Sequence, residues 1–331
     1  LRPRKAYVKI KYRGSGDSKV ISDRVSEFTY SDAATGESDV VAIKIHNVDQ
    51  AFLEQMPQRG DSFDVEIRLS DWDKENVLKI FDCGRFCVDD QDFSGWPLVA
   101  NIGGTSLPEK RAFHATDRTC TWEATSISEI ASEICSRYSL SLRYEGPDCY
   151  IDNVEQTEET DCGFLKKLCE DYGLNIKVYR GSVIIYDAVL YEAKPAARKI
   201  KLADFLDWSY SGTMTEIYTG ATIQYSNSQQ EEEYEVEIGG GGRMLNISEK
   251  VDNLEAAIIK ARAKVNKANR GEETFSGTLP GDPMLCAGMN FELTGVAGIG
   301  GKYFIDKISH SITAGNAYKM SIEAHKVQEA V

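Results

Sequence analysis

Ile134-Cys-Ser-Arg-Tyr-Ser-Leu-Ser-Leu-Arg143 is answered 34 residues later by Leu168-Cys-Glu-Asp-Tyr-Gly-Leu-Asn-Ile-Lys177. Each stretch carries an apolar residue, a cysteine and a tyrosine at helical spacing. Each then switches to an every-second-residue apolar pattern, the period of a half-buried strand. Ser126 followed by Glu129 is a capping box ahead of the first helix, whose inner face would hold Ile127, Ile130, Ala131, Ile134, Cys135 and Tyr138. Thr160 or Asp161 opens the second, with Phe164, Leu165, Leu168, Cys169 and Tyr172 on one face and Gly173 just past its end. Arg180-Gly181 then joins two short strands as a hairpin. A period of 34 invites a helical-repeat reading, but a strand after each helix speaks against it. The pattern predicts two related helix–strand units sharing one core, with Cys135 and Cys169 packed inside it.

Outward from this middle, the chain is β-rich on both sides. Alternation marks Lys5–Tyr12, Val25–Tyr30, Val40–Ile45, Ser62–Leu69, Val77–Phe81 and Arg85–Val88, with an apolar-periodic segment Val48–Met56 stopped by Pro57. Asn101-Ile-Gly-Gly-Thr-Ser-Leu-Pro108 reads as a linker. After the middle come strands at Leu206–Tyr210, Thr219–Tyr225 and Glu231–Ile238, then the run Gly239–Gly242, read as a solvated hairpin end. A long helix follows over 252–270, with Asp252 and Glu255 as capping residues, Leu254, Ala257, Ile258, Ala261, Val265 and Ala268 on its apolar face, and Gly271 as its stop. Asn290–Thr294, Lys302–Ser309 and Ala317–Ala324 close the chain as strands. The two β regions echo each other. Phe28-Thr-Tyr-Ser31 matches Trp208-Ser-Tyr-Ser211 at an offset of 180, as do Thr35 with Thr215 and Ile43-Lys-Ile45 with Ile223-Gln-Tyr225. Further on, Gly60-x-x-Phe63 resembles Gly288-x-x-Phe291, and Lys79-Ile-Phe81 resembles Lys302-Tyr-Phe304. The expected division is 1–108, 109–195 and 196–331, an α+β, mainly β chain in which the outer two pieces are related.

Composition bounds the chemistry. At about 150 residues per domain, 331 residues allow roughly two domains. Acidic residues outnumber basic ones, 52 to 38, for a formal charge of -14. Such a chain is a poor tracker of nucleic-acid phosphates. A hydrophobic content of 42% excludes disorder as the dominant state. No run reaches the roughly 18 apolar residues of a membrane helix, and the N-terminal stretch lacks the apolar core of a signal peptide. The cysteines (Cys83, Cys87, Cys120, Cys135, Cys149, Cys162, Cys169, Cys286) form no C-x-x-C, and His46, His114, His310 and His325 are scattered, so the expectation is buried free thiols and no zinc site. Gly239–Gly242 and Gly14-Ser-Gly16 are not phosphate loops, and neither G-x-S-x-G nor H-E-x-x-H occurs. His46 and His310 are expected as surface residues near strand ends, and Glu231–Glu233 as a solvated face. Asp89-Asp90-x-Asp92 hints at calcium but lacks the glycine and the final glutamate of a calcium loop. No catalytic, cofactor-binding or metal-ligating residue is nominated, and interface or lumen residues stay unassigned.

Three stretches together resemble the baseplate hub proteins of contractile phage tails: the late control protein D family, and in particular the shorter XkdQ-like hubs of defective prophages and tail-like bacteriocins. They are Tyr7-Val-Lys-Ile-Lys-Tyr12 with Val25-Ser-Glu-Phe-Thr-Tyr30; Gln156-x-x-Glu159-Thr-Asp-x-x-Phe164-Leu-x-x-Leu168-x-x-x-Tyr172-Gly173; and Gly301-Lys-Tyr-Phe-Ile305-x-x-Ile308-x-His310-x-Ile312 with Tyr318-x-Met-x-Ile322. The resemblance implies a homotrimeric ring in a virion tail or tail-like particle, assembled in the host cytoplasm. Two related tube-forming β-barrel domains per chain would flank a middle α/β domain. It also implies contacts to a tail tube protein, a central spike protein and tape-measure or other baseplate proteins, with no enzyme activity, cofactor, membrane contact or specific nucleic-acid binding. DNA could still pass through the channel, and an acidic lumen would keep it from sticking. Alternatives are a cell-wall-degrading or peptidoglycan-binding tail-tip protein and the hub part of a type VI secretion spike.

Overall fold

The structure, a computed structural model, describes residues 3–14, 19–20, 24–46, 57–58, 60–106, 112–213, 217–227, 232–249, 251, 253–315 and 317–328. The expected segment Val48–Met56, Thr215, Glu231 and Asp252 lie outside the described residues. The chain begins with β1 (Lys5–Arg13), β2 (Lys19–Val20), β3 (Val25–Ala33), β4 (Val40–His46), β5 (Ser62–Ser70), β6 (Leu78–Ser94) and β7 (Val99–Thr105). The middle runs α1 (Ala112–Ala115), β8 (Asp117–Ser126), α2 (Ile127–Tyr138), β9 (Ser141–Glu145), β10 (Tyr150–Thr160), α3 (Asp161–Asp171), β11 (Leu174–Tyr179), β12 (Ser182–Asp187) and α4 (Ala188–Ala193). The last part contains β13 (Arg198–Lys201), β14 (Asp207–Gly212), β15 (Gly220–Asn227), β16 (Glu232–Gly239), β17 (Met244–Ile247), α5 (Leu254–Asn269), β18 (Glu273–Pro280), β19 (Asn290–Thr294), β20 (Gly301–Thr313) and β21 (Ala317–Lys326). The chain is mixed α+β, mainly β. Among the described residues no helix is long and apolar enough to cross a membrane.

The two helix–strand units are present, and each begins with a strand. β8 and β10 pair antiparallel, and each runs straight into its helix. Ser126 caps α2 in the capping box, and Thr160 caps α3 by accepting from the Gly163 N–H at 3.1 Å. The match at offset 34 extends to the backbone: Ala124 (φ 48°) and Glu158 (φ 47°) both adopt the left-handed conformation two residues before the cap. β9 and β11 flank β12 in one sheet, and the β11–β12 hairpin turns through Arg180 and Gly181, both at positive φ as a tight two-residue turn requires. Cys135 and Cys169 are buried in this core.

The outer strands form one continuous 13-stranded sheet with the path β14-β18-β21-β20-β3-β4-β7-β6-β5-β1-β2, from which β19 and β13 branch beside β20. The path holds the same five-strand set twice. One row of cross-strand partners in the first set is Tyr30–Val41–Gly104–Val88, and the next is Phe28–Ile43–Ile102–Gln91. The second set gives Tyr210–Phe275–Ala324–Ile305 and then Trp208–Gly277–Ile322–Ile308. Both sets carry a bulge between these rows, at Val88/Gln91 and at Ile305/Lys307. Phe63 opposite Phe86 in β5–β6 corresponds to Phe291 opposite Tyr303 in β19–β20. The duplication therefore equates β3, β4, β5, β6 and β7 with β14, β18, β19, β20 and β21. The sixth strands differ, since β1 is antiparallel to β5 while β13 is parallel to β19.

Two of the sequence echoes need correction in this register. Ile43-Lys-Ile45 in β4 corresponds to β18, not to Ile223-Gln-Tyr225. The latter lies in β15, the centre of a separate sheet β16-β15-β17. Lys79-Ile-Phe81 is six residues out of step. The structural partner of Gly301-Lys-Tyr-Phe-Ile305 is Gly84-Arg-Phe-Cys-Val88, and both glycines have positive φ (105° and 139°), a conformation that excludes most side chains. Among the described residues no sheet closes into a barrel: β1 and β3, the outer strands of the first set, are not paired with each other.

The described residues build three cores. One lies in the first strand set around Ile10, Phe28, Phe63 and Phe86 and takes in Ile312 and Tyr318 from the β20–β21 hairpin. One lies in the second set around Phe275, Phe291 and Tyr303. The third belongs to the middle, and it recruits residues expected elsewhere. Ala221, Ile223, Ile238 and Ile247 of the β15 sheet, and Ala256, Ala257, Ala261 and Val265 of α5, share a cluster with α2 and α3. The long helix thus packs on the middle and not on the second β unit. Asn253 caps it, accepting from the Ala256 N–H at 2.8 Å. The Gly239–Gly242 run is not a hairpin end either, because β16 and β17 lie on opposite sides of β15. The chain crosses over the start of β15 so closely that a Cβ on Gly220 would sit 2.1 Å from the Ile238 carbonyl oxygen.

Candidate assembly interface

A joint between two sheets needs unpaired strand edges on both sides, because buried backbone donors and acceptors must find partners. β3 pairs with β4 on one edge and offers the other to β20. β20 pairs with β21 along one edge; its other edge serves β19 at Gly301–Phe304 and β3 at Lys307–Thr313. Seven residue pairs, from Lys307 opposite Ala33 to Thr313 opposite Glu27, connect the first strand set to the second. Ser31 and Ser309 face each other with their hydroxyl oxygens 2.8 Å apart. His310 stacks on Tyr30 with ring centroids 5.9 Å apart and an interplanar angle of 11°. His310 is fully buried, contrary to the surface position expected for it. Burial holds it neutral by lowering its pKa to about 4. Its Nδ1 lies 2.9 Å from the Tyr318 hydroxyl.

A second contact ties the middle to this joint. Asp32 follows Phe28 and Tyr30 on the inner face of β3, where alternation puts apolar residues, and Asp39 is also buried. Lys177 of β11 reaches both. Its ammonium ion pairs with Asp32, lies 3.2 Å from Asp39 Oδ1 and donates to the Ala33 carbonyl at 3.0 Å. The Ala287 N–H, from the second set, donates to the other Asp32 oxygen at 3.0 Å. One buried ion cluster thus joins all three parts of the chain. Burial raises the Asp39 pKa to about 6 against the opposing pull of Lys177. Burial works to lower the Lys177 pKa, but the two aspartates outweigh it and the pKa is raised. Around the cluster, the Gly36 N–H donates to the Ile176 carbonyl at 3.2 Å and the Tyr186 hydroxyl to the Ala34 carbonyl at 2.7 Å.

A third contact holds the middle to the second set. Arg270, at the end of α5, donates to Glu192 of α4 at 2.7 Å. His325 of β21 lies 3.4 Å from the same carboxylate and 2.8 Å from Asp306. Burial lowers the His325 pKa, but the two carboxylates outweigh it and the net shift is upward. Asn290 donates to the Tyr191 and Lys194 carbonyls at 2.8 and 3.0 Å.

The other residues singled out in the sequence do not converge. His46 is exposed at the end of β4, and His114 lies in the middle unit away from both clusters. Asp89 accepts from Thr105 and Asp92 from Asn101 on the distal part of β6. Among the described residues no group of three or more His, Cys, Asp or Glu could hold a metal ion. All eight cysteines are free; Cys83, Cys135, Cys149 and Cys169 are buried, and the other four are only partly so. Sequence reasoning missed the ion clusters. Asp32 on an apolar strand face, and His310 between Ile308 and Ile312, were the available signals.

No family model matches the chain. A curated relative named "Probable baseplate hub protein", from Escherichia phage P2, is 27% identical over 170 residues, which are 51% of this chain and 42% of the relative. This chain thus spans less than half of that protein's length. Two solved structures share the fold across nearly the whole chain. They are a tail protein from Neisseria meningitidis MC58 (TM-score 0.71, 10% identity, 97% of each chain) and the 43 kDa tail protein of prophage MuSo2 from Shewanella oneidensis (TM-score 0.71, 14% identity, 97% of this chain and 98% of that one). The fold of this chain is therefore similar to that of these tail proteins. Within this fold the β3–β20 joint links the two copies of the duplicated strand set, and the ion clusters fix the middle against both copies.

Proposed function

We propose that this chain is a structural hub that forms a trimeric ring and adapts a six-fold tail tube to a three-fold central spike. One observation carries the reading: the same five-strand set occurs twice in matched register, and the two copies are already joined edge to edge within the chain. Three chains would present six like units to a tube and true three-fold symmetry to a spike, which resolves the mismatch between the two. The sheets, open in one chain, would curve into the tube wall on assembly and so remove their exposed edges. The natural division follows the cores: the first strand set, the middle with the β15 sheet and α5 added, and the second strand set. The partners are a tube protein above, a spike protein below and neighbouring baseplate proteins; the location is the tail or baseplate of a phage or tail-like particle. Part of the acidic excess would face the bore, where negative charge repels nucleic-acid phosphates. The role is scaffolding and not catalysis.

Electron microscopy of the chain, alone and mixed with its tube protein, tests the reading. A three-fold ring with six similar lobes and an acidic bore is the expected result. A stable two-fold dimer in particles, or lysis of peptidoglycan by the chain alone, would overturn it.

A further inference from the structure

We infer that β14 of one chain pairs antiparallel with the distal half of β6 in a second copy, repeating between chains the β3–β20 joint seen within one. This inference rests on the hub reading above and names the residues of its ring contact.

The duplication supplies the argument. β14 is the counterpart of β3, and its only partner among the described residues is β18, so the edge that β3 gives to β20 is unpaired in β14. β6 is the counterpart of β20. It pairs with β5 only as far as Cys87, and with β7 on the opposite edge from Cys87 to Ser94. On its β5 side, the stretch from Asp89 to Ser94 therefore has no strand partner among the described residues, where β20 has β3. The two strands match up to that point. The Val88 N–H donates to the Asp61 carbonyl at 2.9 Å, and its counterpart Ile305 donates to the Met289 carbonyl at 2.9 Å. Each chain thus carries one joint already made and the two unmatched halves of another.

The halves are unlike surfaces on one molecule, so they cannot satisfy each other in a two-fold dimer through one shared patch; they join head to tail, and such contacts close into a ring when the rotation between copies closes, as the hub reading requires. Burial agrees with an edge awaiting a partner. Trp208 is 47% exposed, while its counterpart Phe28 is 0% exposed. Asp207, Ser209, Ser211 and Gly212 are exposed, as are Asp89 to Asp92 and Ser94.

The intrachain register transfers directly. Ile308 opposite Asp32, Ser309 opposite Ser31, His310 opposite Tyr30 and Ser311 opposite Thr29 become Gln91 opposite Gly212, Asp92 opposite Ser211, Phe93 opposite Tyr210 and Ser94 opposite Ser209. The stacked His310–Tyr30 pair is replaced by Phe93 on Tyr210, a favourable aromatic cross-strand pair.

Cysteine cross-linking of the full chain tests the register. Ser31 and Ser309 hydroxyls are 2.8 Å apart, so a Ser31→Cys, Ser309→Cys chain should close an internal bond and certifies the chemistry. An Asp92→Cys, Ser211→Cys chain, oxidised under the same conditions, should give covalent dimers and trimers, with the closed trimer as end product. Each single variant, and an Asp92→Cys, Ser209→Cys pair two residues out of register, should give at least tenfold less. Circular dichroism of every variant, and native mass across a concentration series, run alongside. Rings that form without the specific cross-link overturn the joint and leave the hub reading intact. A chain that forms no three-fold ring, alone or with its tube protein, overturns both.

Discussion

At the scale of the residue, buried charge is the costliest feature of this molecule and sits where its three parts meet. Asp32 and Asp39 are tolerated because the Lys177 ammonium lies against both, the Ala287 N–H donates to Asp32 and the Tyr30 hydroxyl donates to Asp39. Replacing Lys177 by Met leaves two carboxylates buried together, and about 3–5 kcal/mol of stability should be lost in denaturant unfolding. A Lys177→Met, Asp32→Asn, Asp39→Asn chain should recover part of that loss, because it buries no unpaired charge. The two buried histidines respond to pH in opposite senses. His310 has its pKa lowered from 6.5 to about 4, so the unfolded chain binds its proton first and stability is lost as pH falls through this window. By pH 5 this amounts to about 2 kcal/mol. His325 has its pKa raised, so its contribution is fully present below 6.5 and is lost as pH rises through its folded value. A His310→Phe chain, which puts at this site the residue found at its counterpart Phe93, should lose less stability than the wild type between pH 7 and pH 5. An equal loss in both proteins would show that His310 is not the titrating group.

Among the elements, much was legible from periodicity. The caps of α2 and α3, the switch to strand after each helix and the Arg180-Gly181 turn are local signals, and they lie where the residues put them. The equivalence of the two units makes a matched prediction: Ser126→Ala and Thr160→Ala should each cost about 1 kcal/mol in thermal or denaturant unfolding. The misread elements share one cause. Lys79-Ile-Phe81 fits an alternating strand as well as Arg85-Phe-Cys87 does, and only pairing with β5 and β7 sets which copy aligns with β20. α5 has an apolar face whose partner is not encoded in its own period. The β15 sheet and α2–α3 present the complementary surface, and the helix packs there.

On the scale of the whole molecule, the proposed assembly would make the acidic balance a property of the ring. In the proposed ring, three chains of formal charge -14 each would bring a large negative excess together. Their mutual repulsion is long-ranged at low salt and is screened over about 8 Å at physiological ionic strength. The trimer fraction, measured by sedimentation, should therefore rise as salt is raised from a few millimolar towards physiological strength. A fall would mean that ion pairs across the joint outweigh the repulsion.

The sequence alone determined the mainly β character, the two helix–strand units and the presence of a duplicated outer strand set, because these depend on local period, capping and turn chemistry. Only the tertiary structure decided the register of the duplication, the packing of α5 and the β15 sheet on the middle, the burial of His310 and the ion cluster of Asp32, Asp39 and Lys177. Those depend on which surfaces, distant in sequence, can satisfy one another's apolar area and buried polar groups. No residue's immediate neighbours in the chain specify that match.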